Sequence, residues 1–288
     1  MAIIVNTNVT ALRMRSSLNN ATNALNNSLL RMSTGYKINS AKDDAAGLYL
    51  ATNLNVQISG SQVAQDNIAT GTNVLQTIEG DLDVMMDSLY RIRDLAVQAS
   101  NGIYDATALS AMEDEATARL DEIDRISAAS NFNGLKLLDG TGLTNGLRLQ
   151  VGPNADEAAN AITIEAEVFK KIDSTTLGSA GTKLRTGVTT AFGDPEEAAE
   201  YLDAVDEAID MINTRKATIG ATQNRLDAAN ASLTTTIENT SAAMSTIMDA
   251  DIAEQAAEYT KQQILQQTSS TLLVQANQLP ALALTLIQ

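Results

Sequence analysis

Apolar residues recur every seven positions at both ends of this chain. Near the start the series is Ile4, Ala11, Leu18, Leu25 and Met32. Near the end it is Leu265, Leu272, Leu279 and Leu286, with Ala276 and Ala283 following the middle two at i+4. That spacing lines up side chains on one helical face, so each end is predicted as a helix with an apolar seam. Both are poor in charge: only Arg13, Arg15 and Arg31 precede Lys37, and no charged side chain follows Lys261. Ile264, Leu273, Leu282, Leu284 and Ile287 make other faces of the last helix apolar too. A surface helix normally keeps one polar face. This one would leave several aliphatic side chains wet, and covering five of them is worth on the order of 10 kcal/mol. Either the helix is buried in its own domain, or it finishes its burial against other copies of the chain. A second charge-poor heptad helix at the N-terminus suggests that the two ends pair, with surplus apolar surface on each.

Between the ends the pattern goes out and returns. Gly35 is a plausible stop for the first helix, and Ser40-Ala-Lys-Asp43 reads as a capping box. The next heptad is long: Ile68, Leu75, Leu82, Leu89 and Ala96 hold one seam position, and Ile78, Met85, Ile92 and Ala99 the other. A helix from about Asp43 to Ser100 would be roughly 85 Å long. A shorter helix is predicted from about Asp105 to Ala129, with Leu120, Ile123 and Ile126 inward. The period then changes. Asn133-Gly134 and Asp139-Gly-Thr-Gly142 are turn signals. Leu147, Leu149 and Val151 alternate with Arg148 and Gln150, and Ala161-Ile-Thr-Ile164 looks like the return strand of a small β-hairpin. Residues 166–194 are Thr-, Ser- and Gly-rich and weakly patterned, and are expected to form a short surface excursion. Asp194-Pro195-Glu-Glu restarts a helix, with Asp as N-cap and Pro at the first helical position. Val205, Ile212, Ile219, Leu226, Leu233 and Ile247 carry it toward the final stretch. The expected fold class is mainly α: long antiparallel helices forming coiled-coil-like bundles from both chain ends, with a small β-hairpin region in the middle.

Composition narrows the chemistry. Aromatic residues are 3 % of the chain and Trp is absent, so the packing is aliphatic. The net charge of −16 opposes non-specific binding to nucleic acid or anionic membranes. No uncharged run is a persuasive membrane span, and the start lacks the basic region of a secretory signal. There is no His and no Cys, which excludes Ser-His-Asp and Cys-His nucleophile systems, disulfides and His-based zinc sites. Carboxylate pairs such as Glu113/Glu115 and Asp121/Glu122 are better read as a solvated face than as acid–base catalysts. Asp81-Leu-Asp83 and Asp249-Ala-Asp251 lack the remaining ligands of a calcium loop; Asp251 with Glu254 reads as a helix start. Neither an enzyme, nor a cofactor, nor a metal is expected.

Two stretches resemble bacterial flagellin, the subunit of the flagellar filament. They are Arg31-Met-Ser-Thr-Gly-Tyr-Lys-Ile-Asn-Ser-Ala-Lys-Asp-Asp-Ala-Ala-Gly47, and Gln263-Ile-Leu-Gln-Gln267 followed by Gln275-Ala-Asn-Gln-Leu-Pro280. Asn131-Phe-Asn-Gly134 and Ile219-Gly-Ala-Thr-Gln-Asn-Arg-Leu-Asp227 look like family sequence as well. The resemblance implies an inner terminal coiled-coil domain from 1–42 and 249–288, disordered in the free subunit. It implies an outer-core helical domain with the hairpin from 43–165 and 195–248. Residues 166–194 stand where larger members insert variable outer domains. It also implies an extracellular filament of many copies, secreted through the flagellar type III apparatus without a cleaved signal peptide. The implied partners are an export chaperone, a cap protein and hook-associated proteins. Tyr90-Arg-Ile-Arg-Asp-Leu-Ala-Val-Gln98 resembles the flagellin patch read by Toll-like receptor 5, with Arg91, Leu95 and Glu115 as the contacts. Against that, charges beside a helical seam usually form solvated or intermolecular pairs.

The leading expectation is therefore a structural polymer whose filament-core seam is built from the two terminal heptads. A hook–filament junction protein of the same export system is the near alternative. A membrane-active protein with lytic terminal helices is disfavoured by the acidic charge and the lack of Lys or Arg beside the C-terminal helix.

Overall fold

The computed structural model describes residues 7–178 and 184–285, with side chains as far as 278. The helices are α1 (Val9–Thr34), α2 (Ala45–Ala99), α3 (Ala106–Ala129), α4 (Glu157–Asn160), α5 (Leu184–Ala191), α6 (Pro195–Met248) and α7 (Ile252–Thr285). The strands are β1 (Asn131–Phe132), β2 (Leu135–Lys136), β3 (Leu147–Gln150) and β4 (Ala161–Ile164), paired as two antiparallel hairpins, β1–β2 and β3–β4. The mainly helical class and the central hairpin stand as the patterning predicts.

The helix boundaries follow local chemistry. Gly35 ends α1 in the left-handed conformation, φ 76°, and its N–H reaches the Arg31 carbonyl. Asp105 caps α3 by accepting from the Ala108 N–H at 2.9 Å. Asp194 accepts from the Glu196 N–H, with Pro195 as the first residue of α6. Asp251 accepts from the N–H groups of Ala253 and Glu254 at the start of α7. At α2 the capping box expected at Ser40 is displaced. Asp43 folds back onto the N–H groups of Asn39 and Ser40, closing a turn. Asp44 is the cap: its side chain accepts from Gly47 N–H and its carbonyl from Leu48 N–H. Asn133 and Gly134 both have positive φ, 49° and 81°, as a two-residue β1–β2 turn of type I′ requires.

By internal contacts the chain divides into two units, Met1–Gln57 with Glu238–Gln288, and Ile58–Ile237; the division falls within α2 and within α6. The second unit holds one continuous apolar core. Leu75, Ile78, Leu82, Met85, Leu89 and Ile92 of α2 are fully buried, as are Leu120 and Ile123 of α3 and Ile212, Ile219 and Leu226 of α6. Polar pairs pin α2 against α6 in an antiparallel register. Gln65 donates to Thr234 Oγ1 at 2.9 Å, Gln223 donates to Glu79 at 3.2 Å, Lys216 pairs with Asp83, and Arg93 pairs with Asp206 at 2.6 Å. The β3–β4 hairpin lies on α2. Asn67 Nδ2 donates to the Gln150 carbonyl, and a Cβ at Gly71 would overlap Leu149 Cδ1.

The stretch 166–194 is not a surface excursion. Val168, Phe169, Ile172, Leu177, Leu184, Val188, Ala191 and Phe192 are all buried in the same core. Asp124 of α3 accepts from both the N–H and the hydroxyl of Ser174, at 2.6 and 2.7 Å. Arg215 of α6, itself buried, donates to the Lys170 carbonyl. Phe192 meets Tyr201 edge-to-face at 6.4 Å, and the buried Tyr201 hydroxyl donates to the Leu184 carbonyl. Over its described residues, 166–178 and 184–194, the segment runs as a 3₁₀ turn, loops and one short helix. Only Leu184, Val188 and Ala191 keep a helical spacing, over two turns, and the apolar residues of the loops repeat with no period, so weak patterning concealed strong burial.

Candidate assembly surface

α1 and α7 pack against each other antiparallel along their lengths. Asn8 Nδ2 donates to the Ala276 carbonyl at 2.8 Å, Gln266 donates to Thr22 Oγ1 at 3.1 Å, and Tyr36 bridges Asp249. The N–H of Lys37 donates to the Met248 carbonyl at 2.7 Å, and that of Ala250 to the Gly35 carbonyl at 2.8 Å, which ties the two connecting turns together. Along α1 the partly or fully buried positions include Ala11, Met14, Leu18, Ala21, Leu25, Ser28 and Met32, alternating steps of three and four. Ala11, Leu18, Leu25 and Met32 thus lie on the face that α1 shares with α7. Along α7 the corresponding series is Gln255, Tyr259, Gln262, Gln266, Ser269, Leu273 and Ala276.

Leu265 and Leu272 fall one position outside that series. They are 44 % and 43 % exposed, and Ile264 and Val274 are 58 % exposed. Leu265 and Leu272 therefore keep much of their surface exposed beside α1. On α1, Val9, Leu12, Leu29 and Leu30 are likewise about half exposed. Leu279 lies within α7, but its side chain is outside the described residues, as are Ile4 and Leu286 altogether. Periodicity found the residues, but neighbouring leucines at every face hid which stripe points inward. The signal that separates them is the small or polar Ser269, Ala276 and Gln266 series, which allows close approach of α1.

The second candidate site lies on α2 and α3. Arg91 makes a bidentate pair with Glu115, Nε–Oε1 at 2.6 Å and Nη2–Oε2 at 2.9 Å, with both side chains about 40 % exposed. The guanidinium holds the Glu115 carboxyl below the usual carboxylate range. Leu95 is 2 % exposed and belongs to the core. The structure thus brings Arg91 and Glu115 together at the surface and turns Leu95 away from it, because Leu95 falls on the apolar side of α2 beside Ile92 and Ala96. Among the described residues no group of three or more acidic side chains is placed to hold a metal ion, and no helix is long and apolar enough to cross a membrane.

Comparison with known proteins assigns the chain. The family profile of the bacterial flagellin N-terminal helical region matches residues 5–142, and that of the C-terminal helical region matches residues 202–287. The chain belongs to the bacterial flagellin family. It is 36 % identical to the flagellin of Bacillus subtilis (strain 168) over 303 aligned positions, covering 99 % of each chain. It is 32 % identical to the flagellar filament 30.7 kDa core protein of Treponema maltophilum, covering 96 % of each. Its fold also resembles that of a putative flagellar hook-associated protein from Vibrio parahaemolyticus, with a TM-score of 0.60 at 18 % identity, covering 72 % of this chain and all of that one. The flagellin profiles fall on α1–α3 and on α6–α7, so both terminal helices lie in family-matched sequence.

Proposed function

We infer that this flagellin is a structural subunit that self-assembles into the tubular flagellar filament used for swimming. The observation that carries the reading is the set of exposed aliphatic side chains on α7, Ile264, Leu265, Leu272 and Val274, which lie on more than one face of the helix, with Val9, Leu12, Leu29 and Leu30 on α1. A subunit that leaves these side chains wet gains by covering them with further copies. In the tube, residues 1–42 and 249–288 form the inner coiled-coil domain, and 43–165 with 195–248 the outer core. The filament-core seam draws on Ile4, Ala11, Leu18, Leu25 and Met32 and on Leu265, Leu272, Leu279 and Leu286. Residues 166–194 stand in the place of the variable outer domains. The subunit leaves the cell through the flagellar type III apparatus, with an export chaperone, a cap protein and hook-associated proteins as its partners. Toll-like receptor 5 meets the Arg91–Glu115 pair on the outer surface, with Leu95 shaping that surface from beneath.

Full-length relatives above 30 % identity favour the filament over the hook junction, since the hook-associated likeness speaks for fold alone. Electron microscopy of the purified chain tests the reading. Long uniform tubes are expected, and short caps or dispersed monomer at high concentration would overturn it.

A further inference from the structure

Three Asn-Gly steps occur in the chain: Asn101-Gly102, Asn133-Gly134 and Asn145-Gly146. Each sets a side-chain amide beside a backbone N–H that no Cβ shields, so that nitrogen can close on the side-chain carbonyl carbon. Asparagine is thermolabile for this reason. The fold holds the three steps differently. Asn133-Gly134 is the β1–β2 turn. Both residues have positive φ, 49° and 81°, and the Phe132–Leu135 pair closes the hairpin around them. Swinging the Gly134 nitrogen onto the Asn133 side chain means rotating the Asn133 Cα–C bond, which would part that pair. At Asn145-Gly146 the attacking group is occupied, since the Gly146 N–H donates to the Leu143 carbonyl at 3.0 Å. Gly146 also lies so close to β4 that a Cβ on it would overlap the Ile164 carbonyl oxygen, which leaves that peptide no room to turn.

Asn101-Gly102, between α2 and α3, has none of these restraints. Residues 101–105 are all exposed. Neither the Gly102 N–H nor the Asn101 side chain makes a hydrogen bond. A three-residue turn spans the step, with the Ile103 N–H donating to the Asn101 carbonyl at 2.6 Å. That bond draws electron density from the Asn101–Gly102 amide and makes the Gly102 N–H more acidic. We propose that Asn101 is a site of spontaneous deamidation, passing through a cyclic imide with Gly102 to aspartate and isoaspartate. Hydroxide takes the Gly102 N–H proton. The nitrogen then bonds to Asn101 Cγ as the Cγ–Nδ2 bond breaks. Nδ2 leaves as ammonia with a proton from water, which restores the hydroxide. One water opens the imide. Opening at Cγ restores the main chain with an aspartate side chain; opening at the main-chain carbonyl carbon leaves isoaspartate, with the chain running through Cβ and Cγ. Nothing is oxidised or reduced. The product adds a carboxylate at the negative end of the α2 dipole, so it should loosen the last turn of that helix.

The reaction belongs to the folded subunit and is read without polymer. The chain is held in mildly alkaline buffer, and each step is followed by peptide mass spectrometry, with isoaspartate identified by an isoaspartyl methyltransferase. Conversion at Asn101 should run about tenfold or more ahead of conversion at Asn133 and Asn145, and should quicken as pH rises. In urea the three steps should react at similar rates, because only the fold separates them. Gly102→Ala should slow the step by about tenfold by shielding the nitrogen. The new Cβ would meet only Pro195 Cγ at 3.8 Å, so circular dichroism should show the fold unchanged. Equal or faster conversion at Asn133 or Asn145 in the folded chain would overturn the proposal. So would an order of rates that persists in urea, or no conversion at Asn101 while the unfolded chain converts. Aspartate without isoaspartate would overturn it too, since direct hydrolysis of the side-chain amide gives aspartate alone.

Discussion

Leu75, Ile78, Leu82, Leu89, Ile92, Leu120, Ile212 and Leu226, all between Ile58 and Ile237, have no exposed surface at all. In the other unit the buried residues among those described are Ile38 and five small ones, Ala21, Ser28, Ala51, Ser269 and Ala276. Heptad spacing runs through both units, yet it does opposite work. On α2 the seam positions are large and aliphatic, so they fill the space against α3 and α6 and complete their burial within the chain. On α1 and α7 the fully buried positions are small, Ala21, Ser28, Ser269 and Ala276; Leu18, Leu25 and Leu273 are only partly covered, and Leu265 and Leu272 stay largely exposed. One unit completes its burial within the chain; the other leaves large apolar side chains exposed.

Four substitutions press on that difference. The largest effect is expected from Leu272→Asp, and only on assembly. The side chain is 43 % exposed in the subunit, so the monomer's thermal transition should not move. A polymer that covers this position must bury a carboxylate, at about several kcal/mol per subunit. The critical concentration should then rise by orders of magnitude, since about 1.4 kcal/mol is tenfold. Sedimentation beside circular dichroism melting checks it; normal filaments would mean that Leu272 stays wet in the tube.

Leu82→Ala acts on the opposite unit. It hollows a fully buried position and should lower monomer stability by about 2–5 kcal/mol in denaturant titration. A loss below about 1 kcal/mol would argue against a closed core there. Next comes Gly71→Ala, whose Cβ would overlap Leu149 and force the hairpin off α2, at about 1–3 kcal/mol. Adding Leu149→Ala should relieve part of that strain, and no relief in the double variant would point to a different cause.

The smallest effect belongs to Arg91→Ala. Glu115 is held below its ordinary carboxylate range by hydrogen bonding to Arg91 and by its charge. Its contribution is therefore present above the ordinary glutamate range and lost as pH falls through the lowered value in the folded state. The stability difference between wild type and Arg91→Ala should shrink on acidification and with added salt. Receptor signalling by monomer should fall with the same substitution; unchanged signalling would remove the Arg91–Glu115 pair from the proposed receptor surface.

The sequence by itself determined the long helices, their caps at Asp105, Asp194 and Asp251, the Gly35 stop and the central hairpin. These are local matters: a seven-residue period, a short polar side chain before a helix, a glycine where φ turns positive. It also carried the family, through the Arg31–Gly47 stretch and the C-terminal Gln-Ala-Asn-Gln-Leu-Pro. Tertiary structure alone decided the burial of the described residues within 166–194, where Phe169, Leu177, Leu184 and Phe192 join the common core at irregular spacing. It alone decided that Leu95 turns into the core while Arg91 and Glu115 meet outside. It also chose which stripe of α7 faces α1. Several faces of that helix are apolar, so hydrophobicity offers no preference among them. The choice goes to close approach of two backbones, which the small side chains of Ala21, Ser28, Ser269 and Ala276 permit and Leu265 and Leu272 do not.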